Sequence, residues 1–332
     1  MADRPDDLER LIHETLEELG WDADASLVAE RVRRLDIGLP VEDEFAVLCS
    51  WLGKCDLIHK LDQHQMPKAS RQRYQVPDML AHFSTQKDER PVLIEIKSKK
   101  AQTLSFRPDY FEKLKNYADM IGSSLLIAWK FHSMWMVFEA RHMKKAKANF
   151  NISYDLAIKE NLLGVLAGDV VYKIGARAGI HIKLKKEELV EVEESDREKT
   201  ETWNVRFSEL VYTNGSGEPI TGLSSDVVSL LTTWDLETSE DHQADHIWVR
   251  HTASGDGIEF AHRALVRLLD WQKAGQEKTS WRREARKEKL NTIEDFRAAV
   301  LNALNLKVVQ YVLNIQPHSH PEFLPERKST AT

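Results

Sequence analysis

The most constraining feature of this chain is a charged pair set inside an apolar segment. Residues 92–98 read Val-Leu-Ile-Glu-Ile-Lys-Ser, so Glu95 and Lys97 interrupt a stretch that otherwise suits a buried β-strand. Side chains two residues apart on a strand point to the same side, so both charges project together while Ile96 turns into the core. Buried or half-buried charge is costly unless something neutralises it. The segment therefore predicts a strand that carries a functional site.

A second carboxylate precedes this strand at a spacing that fits a β-hairpin. Asp78 opens the apolar run 79–83, and the polar turn 84–90 separates that run from the charged strand. If the two segments are neighbouring strands, Asp78, Glu95 and Lys97 converge on one point. Two carboxylates there favour a hard divalent cation, and the lysine can orient a water or hold a phosphate. The pattern predicts metal-assisted phosphodiester hydrolysis, with a structural salt bridge as the alternative.

At these residues the chain resembles the PD-(D/E)xK nuclease superfamily, which has the restriction-endonuclease-like fold. Pro77-Asp78 and Glu95-Ile96-Lys97 match the pattern of that superfamily, with a segment of hairpin length between them. The amphipathic segment 44–53 resembles the first helix of the Holliday-junction-resolvase-like members, whose leading glutamate joins the metal site. The resemblance covers residues 40–145.

The helix expected at residues 108–121 is similar to one that carries Gln-x-x-x-Tyr in the RecB-like and type I restriction-subunit branches. Here Lys113 takes the place of the glutamine, four residues before Tyr117. The departure leaves two roles open for these side chains, which are contact with phosphate or water and packing.

The resemblance implies a catalytic set and a metal-ligand set that overlap. The catalytic residues are Asp78, Glu95 and Lys97, the metal ligands are Glu44, Asp78, Glu95 and the carbonyl of Ile96, and the substrate contacts are Lys99, Lys113 and Tyr117. Glu42 and Asp43 compete with Glu44, which could equally be a first-turn acid that favours the helix dipole. The expected cofactor is Mg²⁺, for which Mn²⁺ can substitute.

Length and composition fit a globular protein of two domains. The chain has 332 residues, of which 42% are hydrophobic and 30% charged, as in ordinary folded proteins. No apolar run is long enough to span a bilayer, and the polar N-terminus is unlike a signal peptide. Cys49 and Cys55 are too few for a disulfide framework or a zinc site. We therefore expect a cytoplasmic protein without membrane contact.

The charge pattern allows nucleic acid binding only through local clusters. The net charge of −7 disfavours it overall, but residues 54–73 carry five Lys or Arg against two acids. Further basic clusters lie at 97–100, 141–147 and 282–289, whereas the run 187–201 has eight acids and two bases. We expect the clusters nearest the Asp78 motif to contact phosphates, with solvated helix faces as the alternative.

The predicted fold class is α/β: a restriction-endonuclease-like mixed sheet flanked by helices, with N-terminal helices and a C-terminal α+β accessory region. The predicted divisions are a helical segment 1–38, a nuclease domain 39–148, an accessory or recognition domain 149–315 and a disordered tail 316–332. Hydrophobic periodicity predicts helices at 42–52, 108–121, 258–272, 276–290 and 293–313, a hairpin at 76–98, strands at 124–130, 134–139, 169–174, 179–184, 203–212 and 246–250, and a linker or exposed helix end at 144–149.

These expectations combine into a magnesium-dependent DNA endonuclease of restriction, anti-phage defence or DNA repair. One alternative is a nuclease-fold nucleic-acid-binding or assembly subunit that a partner activates, and another is a ribonuclease effector. DNA is the expected partner, with RNA left open. A homodimer is expected because many enzymes of this fold cut both strands as dimers. Residues 149–315 are expected to recognise the substrate or a protein partner.

Overall fold

The structure is a computed structural model that describes residues 41–62, 65–195, 198–254, 258–271 and 295–326, with a few isolated positions before residue 41. The helices predicted within 1–38 and at 276–290, and the basic cluster 282–289, lie outside the described residues. Within the described part of the chain, no helix is both long and apolar enough to cross a lipid bilayer.

The first half of the chain builds a mixed sheet. Its strands are β1 (Cys55–Lys60), β2 (Met79–Phe83), β3 (Val92–Ser98), β4 (Thr103–Phe106), β5 (Leu125–Phe131), β6 (Met134–Glu139), β7 (Lys144–Ala146) and β8 (Asn149–Ser153). Five of them form one sheet in the order β1-β2-β3-β5-β6, in which β3 and β5 are parallel and the other neighbours antiparallel. The predicted hairpin and the mixed α/β fold class are confirmed.

Helices cover both faces of this sheet. Residues 41–51 form α1, and Pro108–Ile121 form α2, which begins with proline at its first position and ends at Gly122 with φ 73°. Phe45 of α1 packs in a cluster with Ile96, whereas Phe111 of α2 packs in a second cluster with Leu93. Alternate residues of β3 therefore face different helices, as strand geometry requires.

The predicted linker at 144–149 is wrong, because these residues belong to a second small sheet. Strand β8 pairs antiparallel with both β4 and β7, which gives the order β4-β8-β7. Lys147 turns the chain between β7 and β8 with φ 53°. The charged residues of 144–147 suit an exposed strand edge as well as a linker, so composition could not separate the two. Two short helices follow, α3 (Tyr154–Lys159) and α4 (Leu163–Ala167).

The second half of the chain is also α+β, as expected. It contains β9 (Val171–Ile174), β10 (Gly179–Ser195), β11 (Glu198–Thr213), β12 (Pro219–Ile220), β13 (Leu236–His242), β14 (His246–Ala253), β15 (Glu259–Phe260) and β16 (Val309–Leu313), with helices α5 (Ser225–Thr232), α6 (Ala261–Trp271) and α7 (Phe296–Asn305). One sheet has the order β12-β11-β10-β14-β13, and a small one has the order β15-β9-β16. The described residues of the acidic run 187–201 lie on the outer half of the long β10–β11 hairpin.

The helix predicted at 293–313 is wrong in its second half. Helix α7 stops at Asn305, the chain turns at Lys307 with φ 58°, and β16 then pairs with β9. The apolar residues Val308 and Val309 fit a buried helix face and a buried strand equally well, so the local sequence does not decide between the two. The pairing partner β9 lies more than 130 residues away in sequence and decides the outcome.

The two halves share a core. One apolar cluster contains Phe45 of α1, Tyr172 of β9 and Phe296 of α7. A buried polar bridge accompanies it, because the N–H of Trp135 donates to Nε2 of His262 at 3.2 Å. The other ring nitrogen, Nδ1, therefore carries the proton and donates to Asp169 at 2.8 Å. The accessory region therefore packs directly against the five-stranded sheet of the first half and is not joined to it by a linker alone.

Residues 316–326, which the sequence predicted to belong to a disordered tail, are ordered. Glu160 accepts two hydrogen bonds from Ser319, one from its N–H at 2.9 Å and one from its hydroxyl at 3.1 Å. Farther along, the carbonyl of Phe323 accepts the N–H of Lys87, and Leu324 is buried. Chain termini are often disordered, but these contacts hold residues 319–324 against the first half of the chain.

Candidate functional site

The register of the hairpin places the first two predicted site residues side by side. Met79 pairs with Ile94, so Asp78 stands opposite Glu95 just beyond the last pair of the ladder. The carboxylate of Asp78 accepts the N–H of Ile96 through Oδ2 at 2.7 Å. It replaces the carbonyl that another strand residue would have offered, which fixes the side chain at the start of β2.

Glu95 is fully buried and only half satisfied. Its Oε1 accepts hydrogen bonds from the ammonium of Lys97 and from the hydroxyl of Tyr110, the latter at 2.6 Å. Its Oε2 is equally buried and makes no hydrogen bond with any described residue. A buried carboxylate oxygen without a donor destabilises the fold by itself. A ligand bound to that oxygen would offset this cost.

The ammonium of Lys97 lies among the predicted oxygen ligands. Besides its bond to Glu95, its Nζ donates to the carbonyl of Ile96 at 3.0 Å and lies 3.8 Å from Oδ2 of Asp78. The two carboxylates and the carbonyl thus surround one point that already favours positive charge. The structure brings Asp78, Glu95, Ile96 and Lys97 together, as the strand spacing predicts.

Electrostatics follow from this burial. Burial raises the pKa of Glu95 to about 7, although the charge of Lys97 and its hydrogen bond oppose the rise. Burial also tends to lower the pKa of Lys97, but the charges of Glu95 and Asp78 outweigh it and the net pKa is raised. The lysine is therefore cationic at neutral pH, whereas Glu95 titrates there.

The residues at this site fit an open magnesium site better than a site in which protein side chains supply every ligand. Among the described residues, no group of three or more His, Cys, Asp or Glu side chains could hold a metal ion. The site offers one carbonyl and two carboxylates, of which that of Glu95 has a buried oxygen without a donor among the described residues. Mg²⁺ keeps several waters and is usually held by one or two carboxylates, so this donor set suits it.

Glu44, the predicted third acid, is engaged on the opposite face of the sheet. Its Oε1 accepts the indole N–H of Trp135 at 2.9 Å, and its Oε2 accepts the ammonium of Lys130. Lys130 and Trp135 are a cross-strand pair of β5 and β6, and Trp135 packs against Phe45 of α1. Both oxygens are satisfied there, so the structure does not bring Glu44 to Asp78 and Glu95.

The two competing acids of α1 form ion pairs with a different lysine. Glu42 and Asp43 both form ion pairs with Lys60 of β1, at 2.9 and 2.7 Å. The charge of Glu42 is also one of those that raise the pKa of Lys97. The charge of Glu42 therefore acts on the site.

The predicted substrate contacts lie around the site without touching its carboxylates. Lys99 follows β3, and its N–H donates to the carbonyl of Lys130 at 3.0 Å. Lys113 forms an ion pair with Asp109 one turn earlier on α2, at 2.9 Å. Tyr117 is half-buried in the apolar cluster beneath α2. The structure thus shows an ion pair for Lys113 and packing for Tyr117, and contact of Lys99, Lys113 and Tyr117 with substrate stays a prediction.

The residue that sequence reasoning missed is Tyr110. It lies two helical turns before Tyr117 and so on the same face of α2. The sequence signal was therefore present, since an aromatic residue seven positions before Tyr117 marks the face turned toward the charged strand. The family pattern directed attention to Lys113 and Tyr117 instead.

Comparison with known proteins bears on this region of the chain. Residues 66–170 match the family model of the archaeal Holliday junction resolvase Hjc. The resemblance to the nuclease superfamily is confirmed, in its resolvase-like branch. A solved structure of Hjc from Archaeoglobus fulgidus, a Holliday junction resolvase from an archaeal hyperthermophile, is 20% identical. The similarity covers 36% of this chain and 91% of that chain, with a TM-score of 0.30. Comparison with curated proteins gave no match.

The match also bears on the limits of the resolvase-like domain. It begins after α1 and β1 and continues past residue 148, where the sequence predicted the domain to end. It includes β8, α3 and α4, all of which pack against the nuclease sheet or its small companion. We propose that the boundary with the accessory region lies near residue 170.

Proposed function

We propose that this protein is a divalent-cation-dependent DNA endonuclease that acts on branched DNA of the four-way-junction type. The observation that carries the proposal is the buried Oε2 of Glu95, which has no donor among the described residues and lies beside Asp78 and Lys97. The resolvase family matched by residues 66–170 supports the choice of substrate. Mg²⁺ is the proposed cation, and Mn²⁺ can replace it.

Each site residue has a distinct role in this proposal. Asp78, Glu95 and the carbonyl of Ile96 would hold the cation, which would supply an activated water and charge neutralisation at the scissile phosphate. Lys97 stays protonated because its pKa is raised, so it stabilises the negative charge that develops on the phosphate. The hydrogen bond between Asp78 and the N–H of Ile96 keeps these groups in place.

A basic loop leads directly into the site and supports a DNA substrate. Its exposed cations include Arg71 and Arg73. The loop is fixed to α2, because Asn116 donates to the carbonyl of Arg73 at 3.1 Å and the N–H of Gln75 donates to the carbonyl of Lys113 at 3.1 Å. Cations held near a cleavage site can bind the phosphates on either side of the bond that is cut.

We further propose that the protein acts as a homodimer and that its accessory region recognises the target. A homodimer would place two such sites on the two symmetric strands of a junction. The accessory region, which shares a core with the sheet, would recognise the DNA or a protein partner. The proposed role is DNA repair or defence against foreign DNA, in the cytoplasm.

The proposal is tested by cleavage of labelled DNA. Purified protein is incubated with a four-way junction, the matching linear duplex, single-stranded DNA and RNA, in Mg²⁺, Mn²⁺, Ca²⁺ or EDTA. We expect cutting of the junction in Mg²⁺ and Mn²⁺, with losses of about 10³-fold in Asp78→Asn and Lys97→Met. Asp119→Asn and Lys115→Met are the matched controls, because these residues lie nine and five positions after Tyr110 on α2 and so, at 3.6 residues per turn, on other faces of the helix.

Other outcomes point to other functions. Tight junction binding without cutting in either metal would indicate a binding or assembly subunit that a partner activates. Cutting of RNA alone would indicate a ribonuclease effector. Equal cleavage rates in Lys97→Met and wild type would show that the proposed site does not catalyse the cleavage.

A further inference from the structure

The ring of Tyr110 is fixed by two separate elements. Arg107 is extended and Pro108 occupies the first helical position, so α2 starts at a defined point and Tyr110 falls in its first turn. The ring stacks on Phe106 of β4, with centroids 6.0 Å apart and planes inclined by 15°. Phe106 is itself buried. The hydroxyl of Tyr110 therefore has little freedom of position.

This fixed ring contacts both members of the charged pair. Its hydroxyl donates to Oε1 of Glu95 at 2.6 Å. The ammonium of Lys97 lies 5.6 Å from the centroid of the same ring and 5.9 Å from that of Phe106, within the range of cation–π attraction. Tyr110 is thus placed to orient Glu95 with its hydroxyl and Lys97 with its ring.

The orientation of Glu95 needs such a contact. Rotation about the last bond of a glutamate side chain is broad and roughly two-fold, so the backbone does not decide which oxygen faces which way. Lys97 alone does not decide it either, because its ammonium also contacts the carbonyl of Ile96 and Asp78. The hydroxyl of Tyr110 removes this freedom by holding one oxygen, Oε1.

We propose that Tyr110 is a positioning residue that holds Oε1 of Glu95 so that Oε2 is presented to a divalent cation. The inference rests on the proposed function and deepens it, since it assigns the cation-facing oxygen and the group that selects it. Hydrogen-bond partners of metal ligands commonly set metal affinity in this way, and their loss typically weakens binding 10–100-fold.

The test compares two hydroxyl deletions. Tyr110→Phe removes the hydroxyl and keeps the ring, while Tyr154→Phe makes the same change in a tyrosine that packs on the same cluster against Phe131. Mn²⁺ is titrated into each full-length protein by calorimetry. We expect affinity about 10-fold weaker in Tyr110→Phe and unchanged in Tyr154→Phe.

Cleavage rates separate positioning from a purely structural role. Tyr110→Phe should cut the junction slowly at low Mn²⁺ and approach the wild-type rate at saturating Mn²⁺, because the ligands themselves remain. A structural role would instead lower the thermal unfolding midpoint and the saturated rate while leaving the affinity unchanged, and that result would overturn the inference. If the wild-type protein bound no cation, the proposed function itself would be overturned, and this outcome differs from an unchanged affinity in Tyr110→Phe.

A measurement on the wild-type protein covers the case in which Tyr110→Phe does not fold. The protein is labelled with [¹³Cζ]tyrosine and titrated with diamagnetic Mg²⁺ in an NMR experiment. We expect the resonance of Tyr110 to move with cation binding while that of Tyr154 stays in place. A stationary Tyr110 resonance in a protein that binds Mg²⁺ would contradict the proposal.

Discussion

Two buried glutamates on opposite faces of one sheet have opposite environments. Glu44 is 4% exposed and Glu95 is 0% exposed, so burial alone does not distinguish them. Both oxygens of Glu44 accept hydrogen bonds, one from Trp135 and one from Lys130. Glu95 accepts both of its hydrogen bonds through Oε1 and leaves Oε2 without a donor among the described residues.

The difference separates a carboxylate that serves folding from one that can serve chemistry. A buried ion with all of its hydrogen bonds made is tolerated, and its loss leaves its partners unpaired. A buried oxygen with no donor costs free energy in every folded molecule. Such a cost is expected where a ligand can relieve it, so Glu95 is the better candidate for cation binding although both glutamates match the family pattern.

The largest expected effect is on DNA cleavage. Glu95→Gln should lower the rate of junction cutting by about 10³-fold, because an amide cannot neutralise the cation or share its charge. Glu44→Gln should keep cleavage within about three-fold of wild type, measured where both proteins are folded. The ratio of single-turnover rates gives the comparison directly.

The same two variants can also show that the roles assigned to Glu44 and Glu95 are wrong. A severe loss of cleavage in folded Glu44→Gln would show that Glu44 reaches the site during the reaction despite its bonds to Lys130 and Trp135. A mild effect of Glu95→Gln would show that the oxygen without a donor plays no part in catalysis.

The sheet and its helices were predictable because their signals are local. The hairpin of β2 and β3 and helix α2 follow from apolar periodicity, Pro108 and Gly122, all within short stretches of sequence. Strand β16 was missed because its pairing with the distant β9 overrides a helical pattern. The ordered tail was missed for the same reason, since its contact with Glu160 joins residues far apart in sequence.

The convergence of Glu95 and Lys97 was predictable from strand spacing, because side chains at i and i+2 share a face. That of Asp78 also required the hairpin that the polar turn between the two strands indicates. The position of Glu44 was not predictable in this way. Its partners Lys130 and Trp135 lie 86 and 91 residues further along the chain. Helical periodicity shows that α1 has an apolar face, but it does not show which strand residues that face meets.

The second expected effect is on stability and concerns the satisfied glutamate. Trp135→Phe removes the donor to Oε1 of Glu44 and leaves that oxygen buried without a partner, at a cost of about 1–3 kcal/mol. Glu44→Gln should cost a similar amount, because Lys130 then loses its ion pair. Urea unfolding followed by circular dichroism measures both.

Glu95→Gln is the matched variant on the other face. Its Oε2 makes no hydrogen bond within the described part of the chain that could be lost, and the ammonium of Lys97 keeps Asp78 and the carbonyl of Ile96 as neighbours. We therefore expect a smaller loss of stability than in Glu44→Gln. An equal or larger loss would mean that Oε2 is satisfied in solution, which would weaken the contrast between the two faces.

The smallest expected effect is a proton released on cation binding. Burial raises the pKa of Glu95 from 4.5 to about 7, so below that pH the group binds a proton that a cation must displace. Release should approach one proton per Mn²⁺ bound near about pH 6 and fall toward zero above about pH 8. Apparent affinity should accordingly rise with pH and level off above about pH 8. Calorimetric titrations in buffers of different ionisation enthalpy measure the proton count.

The same linkage affects the cation-free protein in the opposite sense. Because the folded pKa of Glu95 lies above its unfolded value, the group favours folding fully below pH 4.5, and this contribution is lost as pH rises through about 7. Bound cation should therefore stabilise the protein more at alkaline pH than at acidic pH. Glu44→Gln should release the same number of protons as wild type, whereas Glu95→Gln should release fewer. If instead Glu44→Gln abolished the release, the titrating carboxylate would lie on the other face of the sheet, and the roles assigned to the two glutamates would have to be exchanged.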